Sequence, residues 1–402
     1  MKKYLFLFAI CFSLSLNAQH PEIKTYVDFL KTQNTSAKDY LISLFDQYDI
    51  VIFSERIHLE LTQYELLHDV FSDPRFQQKS GHIFMEMGGS NFDKPINEYL
   101  HADNLSEDES RKRAIDIQRN STWYPVWQRY NYHHLLTGLY KINSGLRKDK
   151  KLSLHPTDIA VDWSKILTKE DVVKNIRNKE SMMGRDSVMA VNITAKIKEL
   201  EAKGEKRQKY FVILNSAHAM KHDYNLMGFQ VKPVGAYLSE NFPGKVANVL
   251  LNSEAIGNLS STTNLGFFPP ILNGKWDAAF HHLGKDDLGF DLDKSPIADS
   301  LFQNMPLVEK GVTNRQAYTG YVYYRHYPNF VNVNGVDGLI DEEFKIELAR
   351  RSAIFYKPPT ISKEELYANF YNNFGRKNST VPEFVVEYWQ KVMQWNEKSN
   401  EK

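Results

Sequence analysis

The chain has a single cysteine, Cys11, and it lies in an apolar N-terminal segment. Without that segment, disulfides, a thiol nucleophile and cysteine-based metal sites are excluded. Ile10 precedes Cys11 in the middle of the segment, which does not fit an acylated lipoprotein cysteine. An excess of one charge is missing as well. Fifty Lys and Arg stand against 49 Asp and Glu, a net charge of +1 that becomes −1 without Lys2 and Lys3. This balance leaves no footprint for nucleic acid or an anionic membrane surface. Beyond residue 18 no stretch approaches the roughly 18 apolar residues of a membrane-spanning helix, so no integral membrane segment is expected. Internal repeats and low-complexity tracts are absent. So are the phosphate loop, the dinucleotide fingerprint and the His-Glu-x-x-His pair. Gly88-Gly89-Ser90-Asn91-Phe92 does not fit the Gly-x-Ser-x-Gly nucleophile elbow. Carboxylates and imidazoles remain, with water or a metal ion as the working nucleophile.

Residues 1–18 read as a secretory leader: Lys2-Lys3, an apolar core from Tyr4 to Leu16, and Asn17-Ala18 before Gln19. The mature chain is then expected in the periplasm or outside the cell. With 42% hydrophobic and 25% charged residues it is globular and has a substantial core. Short apolar runs alternating with helical stretches predict an α/β fold. The expected architecture is a mostly parallel central sheet flanked by helices on both faces, with a helical insertion and a C-terminal helical tail. The domain is placed at 19–355, with its core at about 45–255. The tail is placed at 356–402, where composition changes around Pro358-Pro359.

The organising stretch runs from Tyr48 to His68. Ile50-Val51-Ile52-Phe53 reads as a buried strand. After Ser54-Glu55-Arg56-Ile57-His58, the spacing of Leu66, Leu67 and Val70 turns helical. In open parallel sheets, ligands bind beyond the carboxyl ends of the strands, where Glu55 and His58 would lie. Three further predicted strands carry ionisable residues at the same end. Glu86 closes the run that starts at Gly81, Asp158 follows the run from Leu152, and Asn215-Ser216-Ala217-His218 follows the run from Lys209 to Leu214. Strand ends that share one sheet edge gather such residues across more than 150 positions of sequence. Val231 to Ala236, Val246 to Leu251 and Gly320 to Tyr327 are the remaining strand candidates. Plainer readings stand beside these. Arg185-Asp186 reads equally as a structural ion pair, Trp123 and Trp127 as core, and Met182, Met183 and Met189 as core. The neighbours His133-His134 and His281-His282 point to different sides of their elements and read as surface or core.

Five segments in order resemble the erythromycin esterase-like family over about residues 45–255. They are Ser54-Glu55-Arg56-Ile57-His58, Phe84-Met85-Glu86, Leu154 to Asp158, Arg185-Asp186 through Met189-Ala190-Val191-Asn192, and Asn215-Ser216-Ala217-His218. That family belongs to a superfamily with haem-binding lipoproteins and Tiki-type proteases. This chain departs from the family pattern at Ser54, usually Gly, at Asn215, usually His, and at Gln63, usually basic. Its stretch between Glu86 and His218 is shorter than in macrolide-cleaving members. The resemblance implies a hydrolase that cleaves an ester or related bond of a small-molecule substrate without a Ser or Cys nucleophile. His58 would be the general base on water, with Glu55 or Glu86 orienting it. His218 would bind the oxyanion or protonate the leaving group. Arg56, Trp123, Asp158 and Arg185 would contact substrate or orient the other groups. No cofactor is implied. The alternatives are zinc or manganese on the two His and two Glu, or a cleft that binds haem or another cofactor without reaction. Oligomeric state is left open.

Overall fold

The computed structural model describes residues 20–56, 58, 60–123, 130–177, 184–226, 229–252, 271–302, 312–355, 362–380 and 383–397. Residues 1–19, Trp127, Met182, Met183 and Pro358-Pro359 lie outside them. Seven strands form one sheet: β1 Ile50–Glu55, β2 Ser80–Gly89, β3 Ser153–Asp158, β4 Lys209–Asn215, β5 Val246–Leu251, β6 Asp287–Asp291 and β7 Gly320–Tyr324. Their spatial order is β3-β2-β4-β1-β5-β7-β6. All pairs are parallel except β6, which runs antiparallel along the edge at β7.

Successive strand residues alternate between two cores. Ile50, Ile52, Val212, Leu214 and Leu250 pack on one face with residues of the helices Arg185–Ala202 and Lys275–His282. Val51, Phe53, Phe211, Ile213 and Val249 pack on the other with residues of Thr62–Ser72 and Tyr130–Ser144. A strand buried on both faces has no polar alternation, which is why these segments appear in the sequence as unbroken apolar runs.

Two features differ from expectation. Val231 to Ala236 is not a strand. Phe229–Val231 pairs with Tyr224–Leu226 in a small hairpin, and the helix Val234–Asn241 begins after Pro233. Pro233 holds extended backbone and needs no N–H partner, so the strand stops there and the helix starts. Gly235 lets this helix lie directly on the chain that follows His218. A Cβ at Gly235 would come within 2.4 Å of the Ala219 and Met220 carbonyl oxygens. The edge strand β6 has no counterpart among the predicted strands. Its Gly289 is pressed against the Tyr40 side chain, so it packs through bare backbone and lacks an apolar pattern there. In the C-terminal tail, Tyr388 and Val392 of the helix Glu383–Glu397 are buried in the main core, and Tyr388 Oη donates to Asp277. Among the described residues no helix is long and apolar enough to cross a membrane.

Between β2 and β3 runs a chain of polar groups: Glu205, His82, His155, Asp93 and Lys196. His82 Nδ1 lies 2.9 Å from His155 Nε2, His155 Nδ1 contacts Asp93, and Lys196 Nζ is 3.1 Å from Asp93. His82 Nε2 is 3.4 Å from Glu205. Burial, aided by the neighbouring His155, pushes His82 down to about 4 from an ordinary 6.5. An unfolded chain takes up a proton near 6.5 that the folded chain refuses until about 4. Stability is therefore expected to fall as pH drops through that window, by on the order of 2 kcal/mol for this group. Urea midpoints at about pH 7 and about pH 4.5 for wild type and His82→Asn measure the effect. An equal acid loss in the Asn variant would clear His82 of responsibility.

Candidate active site

β1 ends on Glu55, and the loop that follows carries His58. Glu55 Oε2 lies 3.1 Å from His58 Nδ1, and Glu55 Oε1 accepts from Tyr64 Oη at 2.7 Å and from Asn131 Nδ2 at 3.4 Å. An ionised carboxylate can only accept, so His58 Nδ1 carries the hydrogen. Tyr132 Oη sits 2.9 Å from the same nitrogen. Tyr64 keeps its proton: burial and then the charge of Glu55 push its phenol well above the ordinary range.

The second half of the site is built by β2, β3, β4 and the first turn of the helix Arg185–Ala202. The β2–β3 register slips between Met85 and Gly89, and Gly88 takes φ +101° with Pro156 pressed against it. Such an irregularity re-aims a side chain, here Glu86. Glu86 Oε2 accepts from the Asn215 N–H at 2.8 Å, and its Oε1 lies 3.1 Å from Arg185 Nη2 and 3.5 Å from His218 Nε2. Burial favours the neutral acid, but the charges of His218, Arg185 and His58 outweigh it and hold Glu86 down at about 2. Arg185 grips Asp158 through Nε at 3.0 and 3.1 Å and Nη2 at 2.9 Å. Trp123 Nε1 donates to the same carboxylate at 2.9 Å. The short helix Ser216–Ala219 carries His218, with Asn215 Oδ1 capping it on Ala217 N–H at 3.2 Å. His218 Nδ1 lies 2.7 Å from Asp186 Oδ1, which also accepts from Val234 N–H at 3.0 Å.

The strand ends do gather most of the expected residues. Glu55 and Asn215 are register partners across β1 and β4, and Asn215 binds Glu86, so the two halves adjoin. Glu55, His58, Glu86, His218, Asp158, Arg185 and Trp123 fall in this network. Arg56 does not, and the expectation of a substrate contact there is corrected. Its side chain is fully buried, with Nη1 3.0 Å from Glu60, Nη2 2.7 Å from Asn252 Oδ1 and 2.6 Å from the Tyr324 carbonyl, and the guanidinium over the Phe330 ring. Adjacent residues leaving a strand point to opposite sides, so Glu55 facing the site turns Arg56 away. Arg185 and Asp186 are not a mutual ion pair either, since each serves a different partner. Asp186, Tyr64 and Tyr132 belong to the site although no strand end points to them. The only hint for Asp186 was its place beside Arg185.

The carboxylates lie beneath the groups that reach the surface. Side chains of His58, His218 and Arg185 keep 22%, 16% and 17% of their exposure, against 2%, 5% and 3% for Glu55, Glu86 and Asp186. The arrangement does not suit a metal ion. Glu55 is engaged by Tyr64 and His58, Glu86 by Arg185 and Asn215, and a fixed guanidinium already holds the cation position between Glu86 and Asp158. Among the described residues no three His, Cys, Asp or Glu side chains converge as a ligand set. A cavity of about 970 Å³ elsewhere is lined by Tyr130, His133 and His134 among others, and by none of the residues above.

No family model matches the chain, and no curated protein matches it. Solved structures do. A Bacillus cereus protein covers 75% of this chain and 97% of its own at 12% identity and TM-score 0.45. A succinoglycan biosynthesis protein covers 75% and 96% at 11% identity and TM-score 0.45. The erythromycin esterase EreC, in an open conformation, covers 70% and 91% at 12% identity and TM-score 0.47.

Proposed function

We propose that the protein is an exported hydrolase of the erythromycin esterase-like kind, cleaving an ester or related bond of a small molecule with activated water. One observation carries this reading: the adjoining halves of the network each hold an imidazole with Nδ1 on its own buried carboxylate, Glu55 for His58 and Asp186 for His218. A carboxylate on Nδ1 fixes the tautomer and makes Nε2 the atom that exchanges a proton. His58 Nε2 takes a proton from water, and the hydroxide formed adds to the carbonyl carbon. The carbon–oxygen bond then breaks as His218 Nε2 passes its proton to the leaving oxygen. The two imidazoles end with exchanged protonation states and reset through solvent. Burial disfavours a charged His218, but the charges of Glu86 and Asp186 raise its pKa, which suits an acid. Among the described residues the site sets four carboxylates against Arg185, so an uncharged reacting group is favoured over a phosphate or sulfate ester. The leader supports export.

A panel of aryl esters, alkyl esters and lactones, assayed with and without chelator and beside aryl phosphate and sulfate, tests the proposal. Turnover of an uncharged ester or lactone, indifferent to chelator, is expected. Activity abolished by chelator and restored by zinc or manganese would put a metal in charge. No turnover together with a Soret band on haem titration would make the cleft a cofactor site.

A further inference from the structure

We infer that Arg185 is a positioning residue that acts through His218: its Nη1–H holds the Nε2 lone pair once the imidazole has released its proton, and Glu86 Oε1 faces that nitrogen while the proton is still there. The inference rests on the acid role proposed for His218. Its geometry stands on three distances. Arg185 Nη1 lies 3.1 Å from His218 Nε2, Glu86 Oε1 lies 3.5 Å from the same atom, and Arg185 Nη2 lies 3.1 Å from Glu86 Oε1. A guanidinium N–H can only donate, so it bonds a bare Nε2; a carboxylate can only accept, so it bonds an Nε2–H. Nδ1 is committed to Asp186 in both states. One nitrogen thus has a partner whichever form it takes, and the two partners are tied to each other.

The chemical consequence concerns the proton-release step. As the N–H bond of His218 breaks and an O–H bond forms on the leaving group, the new lone pair would otherwise sit unpaired in a largely buried site, at the cost of an unmade hydrogen bond. Arg185 Nη1 is already in place to meet it. The groups facing the imidazole are Glu86 from β2 and Arg185 and Asp186 from the helix Arg185–Ala202, with Asp158 of β3 acting through Arg185. Tyr224 of the hairpin stands near the same carboxylates, whose charges add to burial in raising its phenol. The Coulombic influences on His218 run in opposite directions: Glu86 and Asp186 favour the charged form and Arg185 opposes it. The tether to Asp158 keeps the guanidinium from swinging to solvent, so Arg185 is spent on the protein and is not an anchor for a substrate anion.

The test is a pH titration of His218 by long-range ¹H–¹⁵N NMR on the whole mature chain, which reads the imidazole whether or not any ester is cleaved. Above its pKa, wild-type Nε2 is expected to show the ¹⁵N shift of a lone pair that accepts a hydrogen bond, with the hydrogen on Nδ1. Arg185→Lys, which keeps a charge but loses the fork, is expected to raise the His218 pKa, and Glu86→Gln to lower it, each by on the order of one unit. An unbonded Nε2 lone pair or the opposite tautomer in wild type overturns the inference without any variant. So does an Arg185→Lys shift that is absent or downward. A correct titration with an inert ester panel would sink the proposed reaction and leave the hydrogen-bond exchange standing.

Discussion

Replacing His58 by alanine is expected to slow turnover about 100- to 10,000-fold on any ester that the wild-type protein hydrolyses, the range typical of a positioned acid–base group. The fold should survive, because His58 lies on a loop after β1 with 22% of its side chain exposed. Glu55→Gln is expected to lose activity on a similar scale for a different reason. An amide can donate to Nδ1 and so favour the tautomer with hydrogen on Nε2, which cannot take a proton from water. It also removes the negative charge that stabilises the imidazolium as it forms. Initial rates on the best ester of the panel, beside thermal melts to establish folding, measure both. A folded His58→Ala variant that works within about threefold of wild type would take His58 out of the reaction.

Arg56→Met is expected to destabilise the fold by about 3–5 kcal/mol, the penalty for leaving one partner of a buried pair uncompensated. Glu60, fully buried, would lose the guanidinium that it pairs with. Glu60 also accepts from the Thr62 and Gln63 N–H groups at 2.7 and 3.0 Å, so its displacement would loosen the start of the helix Thr62–Ser72. The Asn252 side chain and the Tyr324 carbonyl, each bound by Nη2, would lose a donor as well, and these tie β5 and β7 to the β1 loop. Urea unfolding reads the loss, and KM on the panel's ester should stay near wild type for the folded fraction. A loss under about 1 kcal/mol with a sharply raised KM would return Arg56 to the substrate.

Legibility differed between the two halves of the site. β1 and β4 were plain because unbroken β-branched and aromatic runs have few ways to be buried other than as central strands. Their ends carry Glu55 and Asn215, which are register partners across β1 and β4. Glu86 was placed by the same logic, though its orientation depends on the slip at Met85–Gly89 and the positive φ of Gly88, which leave little trace in a hydrophobic pattern. Gln63 and Asn215, departures from the family pattern, have structural work: Gln63 Oε1 accepts from the Arg56 N–H at 2.7 Å, and Asn215 caps the His218 helix and binds Glu86. Neither departure removes a member of the hydrogen-bond network around Glu55, Glu86 and His218.

The sequence by itself determined the parallel strands of the sheet, the edge at which they end, and the residue types available there once thiols, nucleophile elbows and phosphate loops were excluded. Those are local properties, set by side-chain period and composition over a few residues. Only the tertiary structure decided which charged side chain meets which. Arg56 and Glu55 are neighbours that leave β1 on opposite sides, and Arg185 and Asp186 are neighbours about 100° apart on one helix turn, so Arg56 reaches Asn252, Arg185 reaches Asp158 and Asp186 reaches His218 only because another element brings that partner from more than twenty-five residues away. That choice of partner is what separates an arginine packed against Glu60 and Asn252 from one set beside His218.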